Sequence, residues 1–502
     1  MNFKPKMWKR LLALLLMVGM FLSSSATIAG AAVLGNGIKE TVEKALSKLQ
    51  DVTGLFGNDH FRDKAFNEKV LKNLDPNGKY WIFVDLEGES ISEVYDKTAG
   101  EGTLIDFANS ETAAEIRRAL TEKQEAFLAE LDASGIEYTY KHSYTLLSNA
   151  VAVQVACKDM LAVRKLSGVK SVSVSEHYNE PKALTTNDAR VWGTGIYKTE
   201  GIPYNGNGLV VAVLDTGLDS SHAAFGTMPT LRPGVEYLTK EKVERQVFSG
   251  TAGGLHDIDN VTTPDDVYYN SKVPFAYDYA DKDAVVYPSY STHGVHVAGI
   301  IAGNLGDAEN EPIKDSDGNL ILGDDGQPLT FRGVAPEAQL VICKVFTDRE
   351  DSESLGGAET VDILAALEDC VKLGVDVINM SLGSSCGFST KDDDRMDRVY
   401  SSIRASGISL VVAASNDYSS AYGSNSGTNL TENPDSATVG APSTFEEALS
   451  VASISGQKSP YLISNKGKEN ESYIFFTEAS DGNSNQKEFV KELLEAKKAG
   501  AD

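Results

Sequence analysis

Leu209-Val210-Val211-Ala212-Val213-Leu214-Asp215-Thr216-Gly217 decides how this chain folds. Six apolar residues in a row, three of them valine, suit a strand buried on both faces. Such strands belong to parallel sheets covered by helices. The run ends in a carboxylate and then Thr-Gly. Open parallel sheets gather their chemistry at the carboxyl ends of their strands, so Asp215 is a candidate site residue. On this stretch alone, an acid in a plain turn is the better reading.

The same apolar character returns at residues 340–345, 375–380 and 408–414. Between these runs lie helical stretches at 295–302, 359–373 and 394–406. Strands alternating with helices predict an α/β domain with a doubly wound parallel sheet and right-handed crossovers.

Three further stretches could carry chemistry. His293 opens a helix in His293-Gly294-Val295-His296-Val297-Ala298-Gly299. Ala298, Gly299, Ala302 and Gly303 would let that helix pack closely on a neighbour. His293 and His296 are spaced as a metal pair would be, but a zinc site needs a third ligand, and neither an H-E-x-x-H pattern nor a nearby cysteine supplies one. No metal site is expected here. His296 reads as a buried helix residue and His293 as a general base. Val411-Val412-Ala413-Ala414-Ser415-Asn416 is a strand ending in small residues and then Asn416, whose amide could donate to a developing oxyanion. A simple Asn turn is locally as good a reading. In Asn379-Met380-Ser381-Leu382-Gly383 a strand ends in backbone able to pair with an extended peptide.

Upstream lies a segment with its own rhythm. Strands at 80–84, 138–144, 150–155 and 169–174, a long helix at 110–134 and a short one at 159–166 predict a small split βαβ module. Residues 181–188 read as a polar linker. The first 32 residues have a basic start (Lys4, Lys6, Lys9, Arg10), an apolar run over 11–22 and the small exit Ala29-Gly30-Ala31, the layout of a secretory leader. No segment of 33–502 is long and apolar enough to span a membrane. Near residue 461 the character changes again, with a strand at 473–476 and an amphipathic helix at 486–498.

The chain has 502 residues, 41% of them hydrophobic, and a net charge of −26. That charge argues against nucleic acid and anionic membranes as partners, since both require a lysine and arginine excess. None of the four cysteines, Cys157, Cys343, Cys370 and Cys386, forms a C-x-x-C pair. Cys343 reads as a small buried hydrophobe. Residues 306–330 form an acidic insertion containing Asp315-Ser316-Asp317-Gly318-Asn319. No bidentate glutamate follows twelve positions on, so a solvated hairpin is the better reading than a calcium loop.

Taken together and in order, these stretches resemble the subtilase family over residues 185–460. AVLDTGLDSSH around Asp215 is similar to the family's catalytic aspartate motif. STHGVHVAGI around His293 is similar to its histidine motif, with Val295 where threonine is usual. Gly333-Val334-Ala335-Pro336-Glu337-Ala338 and Asn379-Met380-Ser381-Leu382-Gly383 match flanking signatures. Asn416 matches the oxyanion asparagine, with Ser415 where glycine is usual. Val273-Pro274-Phe275-Ala276-Tyr277-Asp278-Tyr279 and Lys344-Val345-Phe346-Thr347 are most similar to lactocepin-like cell-envelope proteinases.

The resemblance implies a signal peptide over 1–32, an inhibitory propeptide over 33–183 and a catalytic domain over 184–460. It also implies the start of an inserted protease-associated domain over 461–502. It implies peptide-bond hydrolysis with Asp215, His293 and Asn416 as catalytic residues. Ser381, Leu382, Gly383, Ala413, Ala414 and Ser415 would line the cleft. Protein substrates and the chain's own propeptide would be its partners, outside the cell or at its wall. No organic cofactor is implied; many members bind calcium, so calcium is a candidate ligand, but no ligand set is assignable here. The family's Gly-Thr-Ser-Met-Ala-type serine motif occurs nowhere in the 502 residues. The nucleophile is therefore expected beyond residue 502, and the chain alone is expected to be inactive. The rival reading is a non-catalytic binding or adhesion protein on the same scaffold.

Overall fold

The computed structural model describes residues 74–98, 102–178, 205–226, 228, 234–248, 255, 261–304, 319–320, 333–348, 357–383, 394–415, 439–452, 461–464 and 472–475. The leader, the linker at 181–188, Asn416, nearly all of the acidic insertion and the helix at 486–498 lie outside them. The chain divides into Met1–Pro76, of which only 74–76 are described, and Asn77–Asp502, which holds every element below.

A small module comes first. Strand β1 (Lys79–Leu86) leads through α1 (Ile91–Thr98), α2 (Leu104–Ala108) and α3 (Glu111–Ser134) to β2 (Tyr138–Tyr144) and β3 (Ala150–Ala156). A 3-10 turn and α4 (Met160–Val163) lead to β4 (Val169–Val174) and β5 (His177–Tyr178). The first four strands form an antiparallel sheet in the order β2-β3-β1-β4. Capping fixes the two middle helices: Thr103 and Asp106 form a capping box on α2, and Ser110 caps α3. Helix α3 ends at Gly135 in the left-handed conformation. The expected helix at 159–166 is shorter than its pattern, since only Met160–Val163 is α-helical.

The larger part contains β6 (Val210–Asp215), α5 (Lys240–Phe248), β7 (Phe275–Asp278), α6 (His293–Ala302), β8 (Gln339–Lys344), β9 (Ala358–Glu359) and α7 (Thr360–Leu373). It continues with β10 (Val377–Met380), α8 (Asp394–Ala405), β11 (Ser409–Ala413) and β12 (Leu449–Val451). Six strands form one parallel sheet, ordered β12-β11-β10-β6-β8-β7. The chain starts at β6, fills one side through β7 and β8, then crosses to β10 and works outward. Asp215 thus ends the strand flanked by β8 and β10, at the switch point where open α/β sheets form their crevice. Among the described residues, β13 (Tyr461–Ser464) and β14 (Ser472–Phe475) pair as a separate antiparallel hairpin.

Alternate residues of β6 serve two cores. Val211 and Val213 pack with Leu340, Ile342 and the small residues Ala298 and Ala302 of α6. Val210, Ala212 and Leu214 face the opposite side and join a core with Leu364 and Val371 of α7 and Val399 of α8. That second core continues into the small module through Phe83, Ile91, Tyr144 and Leu146. All fourteen residues of α7 are buried, because the helix is held between the parallel sheet and the module.

Several strand limits differ from the expected ones by a residue or two, and two of them have a local cause. Leu209 is 45% exposed and precedes the ladder. The strand expected from residue 375 begins at Val377, because Asp376 turns its carboxylate to accept the Val210 N–H at 2.8 Å. The edge strands β7 and β12 and the short helices α1 and α2 had no counterpart in the sequence reading. Among the described residues, no helix is long and apolar enough to cross a membrane.

Candidate active site

The parallel register sets the site. Leu214 of β6, Met380 of β10 and Val412 of β11 lie side by side. The residues that follow, Asp215, Ser381 and Ala413, therefore share one edge of the sheet. Helix α6 packs on β6 and brings its first residue to the same edge. His293 Nδ1 lies 2.8 Å from Asp215 Oδ1. The Asp215 side chain is 1% exposed and that of His293 12%.

The turn after Asp215 is held from two directions. Asp215 Oδ1 also accepts the Thr216 N–H at 2.7 Å. The Thr216 hydroxyl donates to the Ser291 carbonyl at 2.9 Å and accepts the Gly294 N–H at 2.9 Å. Leu218 N–H donates to the Val286 carbonyl at 2.8 Å. The strand end, the segment 284–292 and the first turn of α6 are thereby one unit. Two glycines make this approach feasible. A Cβ on Gly217, whose φ is +114°, would stand 2.2 Å from the Val286 oxygen. One on Gly294 would stand 2.5 Å from the Gly217 oxygen. The second oxygen of Asp215 is buried without a hydrogen-bond partner among the described residues.

His296 lies one turn into α6. Burial, with His293 nearby, holds its imidazole below the ordinary histidine value. This suits a neutral, packed residue. Among the described residues, no group of three His, Cys, Asp or Glu side chains is placed to hold a metal ion.

The residues expected to line a cleft are spread along the β10 and β11 edge. Leu382 is buried, Ser381 is half-buried with its hydroxyl accepting from the Asn379 amide at 3.0 Å, and Gly383 lies against the Ala441 carbonyl. Ala414 uses its N–H on Val451 O at 2.8 Å, and its carbonyl accepts from Gly440 N at 2.7 Å. The backbone at 414 is thus occupied within the protein, and only its surface is offered to a ligand. Ser415 has φ +142°, a conformation that side-chain-bearing residues rarely adopt. Asn416 lies outside the described residues.

Sequence reading missed two features. Val285, Tyr287 and Tyr290 stand exposed on the segment leading to His293, with Tyr287 at 59% and Tyr290 at 56%. Aromatic groups beside the edge that carries Asp215 and His293 suit side-chain recognition. Beneath the site, Lys344 follows the strand neighbour of Leu214 and is fully buried. It pairs with Asp278, with Asp348 at 3.3 Å and with Asp281 at 3.5 Å. Burial alone would lower its pKa, but the three carboxylates reverse this and keep it charged.

The family model described as the subtilase family matches residues 206–488. The chain is 33% identical over 325 residues to the PIII-type proteinase of Lactococcus lactis subsp. cremoris (strain SK11), covering 63% of this chain and 14% of that protein. It is 30% identical over 255 residues to the C5a peptidase of Streptococcus pyogenes, covering 50% of this chain and 18% of that one. Fervidolysin from Fervidobacterium pennivorans aligns in structure with a TM-score of 0.34 at 17% identity, over 69% of this chain and 42% of its own. The chain thus spans about a seventh of the length of the lactococcal proteinase.

Proposed function

The chain belongs to the subtilase family and has its subtilisin-like fold, and from that premise we propose that it is the Asp–His part of a secreted serine endopeptidase. The observation that carries the reading is the 2.8 Å contact between Asp215 and His293 at the switch point of the sheet. With Nδ1 turned to Asp215, His293 is left with Nε2 for a serine hydroxyl. Asp215 orients the ring and stabilises the imidazolium. His293 takes the serine proton and returns it to the leaving amine. Asn416 donates to the oxyanion, and residues 381–383 and 413–415 line the cleft. Protein or peptide chains are the substrates, and the reaction needs no organic cofactor. Calcium binding, common in the family, is left without assignable ligands.

No stretch of residues 1–502 matches the family's serine motif, so in this reading the nucleophile comes from sequence outside them, and the 502 residues alone do not hydrolyse peptides. The leader directs the protein out of the cell. Residues 33–183 act as its inhibitor, a role supported by the burial of α7 beneath the small module. Residues 461–502, with the β13–β14 hairpin, begin an inserted protease-associated domain.

The test uses the protein with its serine-bearing region. Asp215→Asn and His293→Ala should each lower kcat on a peptide substrate by roughly four orders of magnitude while leaving the unfolding midpoint near that of the parent. Near-normal turnover by His293→Ala would overturn the assignment.

A further inference from the structure

We propose that Cys343 and Cys370 form a disulfide bond when the chain folds in the presence of a small-molecule disulfide, tying β8 to α7. Their sulfurs are 3.9 Å apart, and both residues are fully buried. One lies on a strand and the other on a helix packed over the sheet, 27 positions away in sequence. A disulfide requires about 2 Å between sulfurs. Each sulfur must therefore move by about 1 Å, a shift that side-chain rotation and a small slide of the helix can supply.

The surroundings hold the two thiols face to face. Asp369, the neighbour of Cys370, accepts the Tyr279 hydroxyl at 2.9 Å. Tyr279 lies just past the end of β7 and packs edge-on against Tyr277 at 5.1 Å. The Tyr279 N–H donates to the carbonyl of Lys344, the residue after Cys343. One tyrosine thus fixes both the rotation of α7 and the end of β8. Cys157 is packed in the core of the small module, and Cys386 lies outside the described residues.

Burial pushes the Cys343 thiol well above its ordinary value, so its thiolate is scarce once the helix has closed. The bond therefore forms during folding. One cysteine thiolate attacks the small disulfide and expels one of its halves as a thiolate. The second cysteine, having given its proton to solvent, attacks the mixed disulfide and expels the other half. The protein loses two electrons and two protons in all, and one small disulfide becomes two thiols. This bond would join the helix beneath the small module to the strand bordering Asp215. The inference does not depend on the proposed catalysis.

The experiment refolds the reduced 502-residue chain with oxidised and reduced glutathione, blocks remaining thiols with N-ethylmaleimide in denaturant, and maps peptides without reduction. The expected result is a cross-linked peptide joining 343 to 370, about 2 Da lighter than the two reduced peptides together. The oxidised chain should also unfold at a higher temperature than chain refolded in reductant. Cys343→Ala and Cys370→Ala should each remove both effects. Alkylation of both cysteines after refolding with glutathione would overturn the proposal, as would a bond from either one to Cys157 or Cys386. The mapping uses the unmodified sequence, so it decides the matter even if a variant fails to fold.

Discussion

A methyl group at position 294 would press against the Gly217 carbonyl at 2.5 Å and the Gly217 and Thr216 nitrogens at 2.9 and 3.1 Å, all of them backbone atoms that cannot swing aside. Gly294→Ala should therefore push the first turn of α6 away from the Asp215 turn, costing about 1–3 kcal/mol. Denaturant unfolding checks the loss. Separation of the His293 ring from the Asp215 carboxylate would appear as loss of the His293 Nδ1–H hydrogen-bond signal by NMR. Lys272 shows a different residue-scale effect. It is 1% exposed and donates to the Pro336 and Ala338 carbonyls at 2.7 and 2.6 Å. Burial pushes its amine down to about 7. Between that value and the ordinary lysine value of 10.5 the unfolded chain binds the extra proton, so stability should rise with pH across this window. It should be lost again as pH falls through about 7. Lys272→Met should flatten this slope. Urea unfolding at about pH 7 and about pH 9.5 should show the wild type gaining about 3 kcal/mol more than the variant. Equal slopes would show that Lys272 is not depressed.

At the scale of elements, α7 is the informative case. It carries Asp362, Glu368, Asp369 and Lys372, yet it is buried on every side. Asp369 and Lys372 pair within the helix at 3.1 Å, and the other two charges are answered by other elements. Asp362 accepts from Lys141 at 2.7 Å and contacts His142 at 2.9 Å, and burial pushes its carboxyl up to about 7 against the pull of Lys141. Glu368 accepts the N–H groups of Leu146 and Leu147 at 2.9 and 2.7 Å. Helix α8 makes the matching contact with Arg395. Its Nε donates to Asp85 at 3.0 Å, its Nη1 donates to Ser173 at 3.0 Å, and its guanidinium lies over the Phe83 ring at 4.2 Å. Burial would raise the Asp85 carboxyl, but Arg395 outweighs it and holds the group below its usual value. Arg395→Met should leave the largely covered Asp85 carboxylate without its guanidinium and with the Ser171 hydroxyl still donating to it, at a cost of about 3 kcal/mol. Asp85→Leu combined with Arg395→Met should recover most of that loss. A double-mutant cycle by chemical denaturation measures both, and additive losses would mean the pair contributes little coupling.

At the scale of the whole molecule, the small module and the parallel sheet share one apolar core in addition to these buried ion pairs. A cut between residues 178 and 205 should therefore leave two pieces that stay together. After limited proteolysis in that stretch, size-exclusion chromatography under native conditions should show a single peak containing both. Denaturant should be needed to part them. Separate elution without denaturant would show the shared core to be too weak for a tightly held inhibitor.

The sequence alone determined the α/β class, the parallel sheet and the positions of Asp215 and His293. Those conclusions rest on local signals: unbroken apolar runs at 210–214, 340–343 and 410–412, and small residues after His293. Apolar runs read clearly because a strand covered on both faces can carry few polar groups. Other features had no local signature. The edge strands β7 and β12 are short, and their membership depends on neighbours supplied by distant chain. The full burial of α7 could not be read from Asp362 and Glu368, since only a second module provides Lys141, His142, Leu146 and Leu147 to answer them. The same holds for the sulfurs of Cys343 and Cys370, which are 27 positions apart yet in contact. Spacing in sequence encodes which face a residue occupies on its own element. Only the packing of elements decides what stands opposite that face.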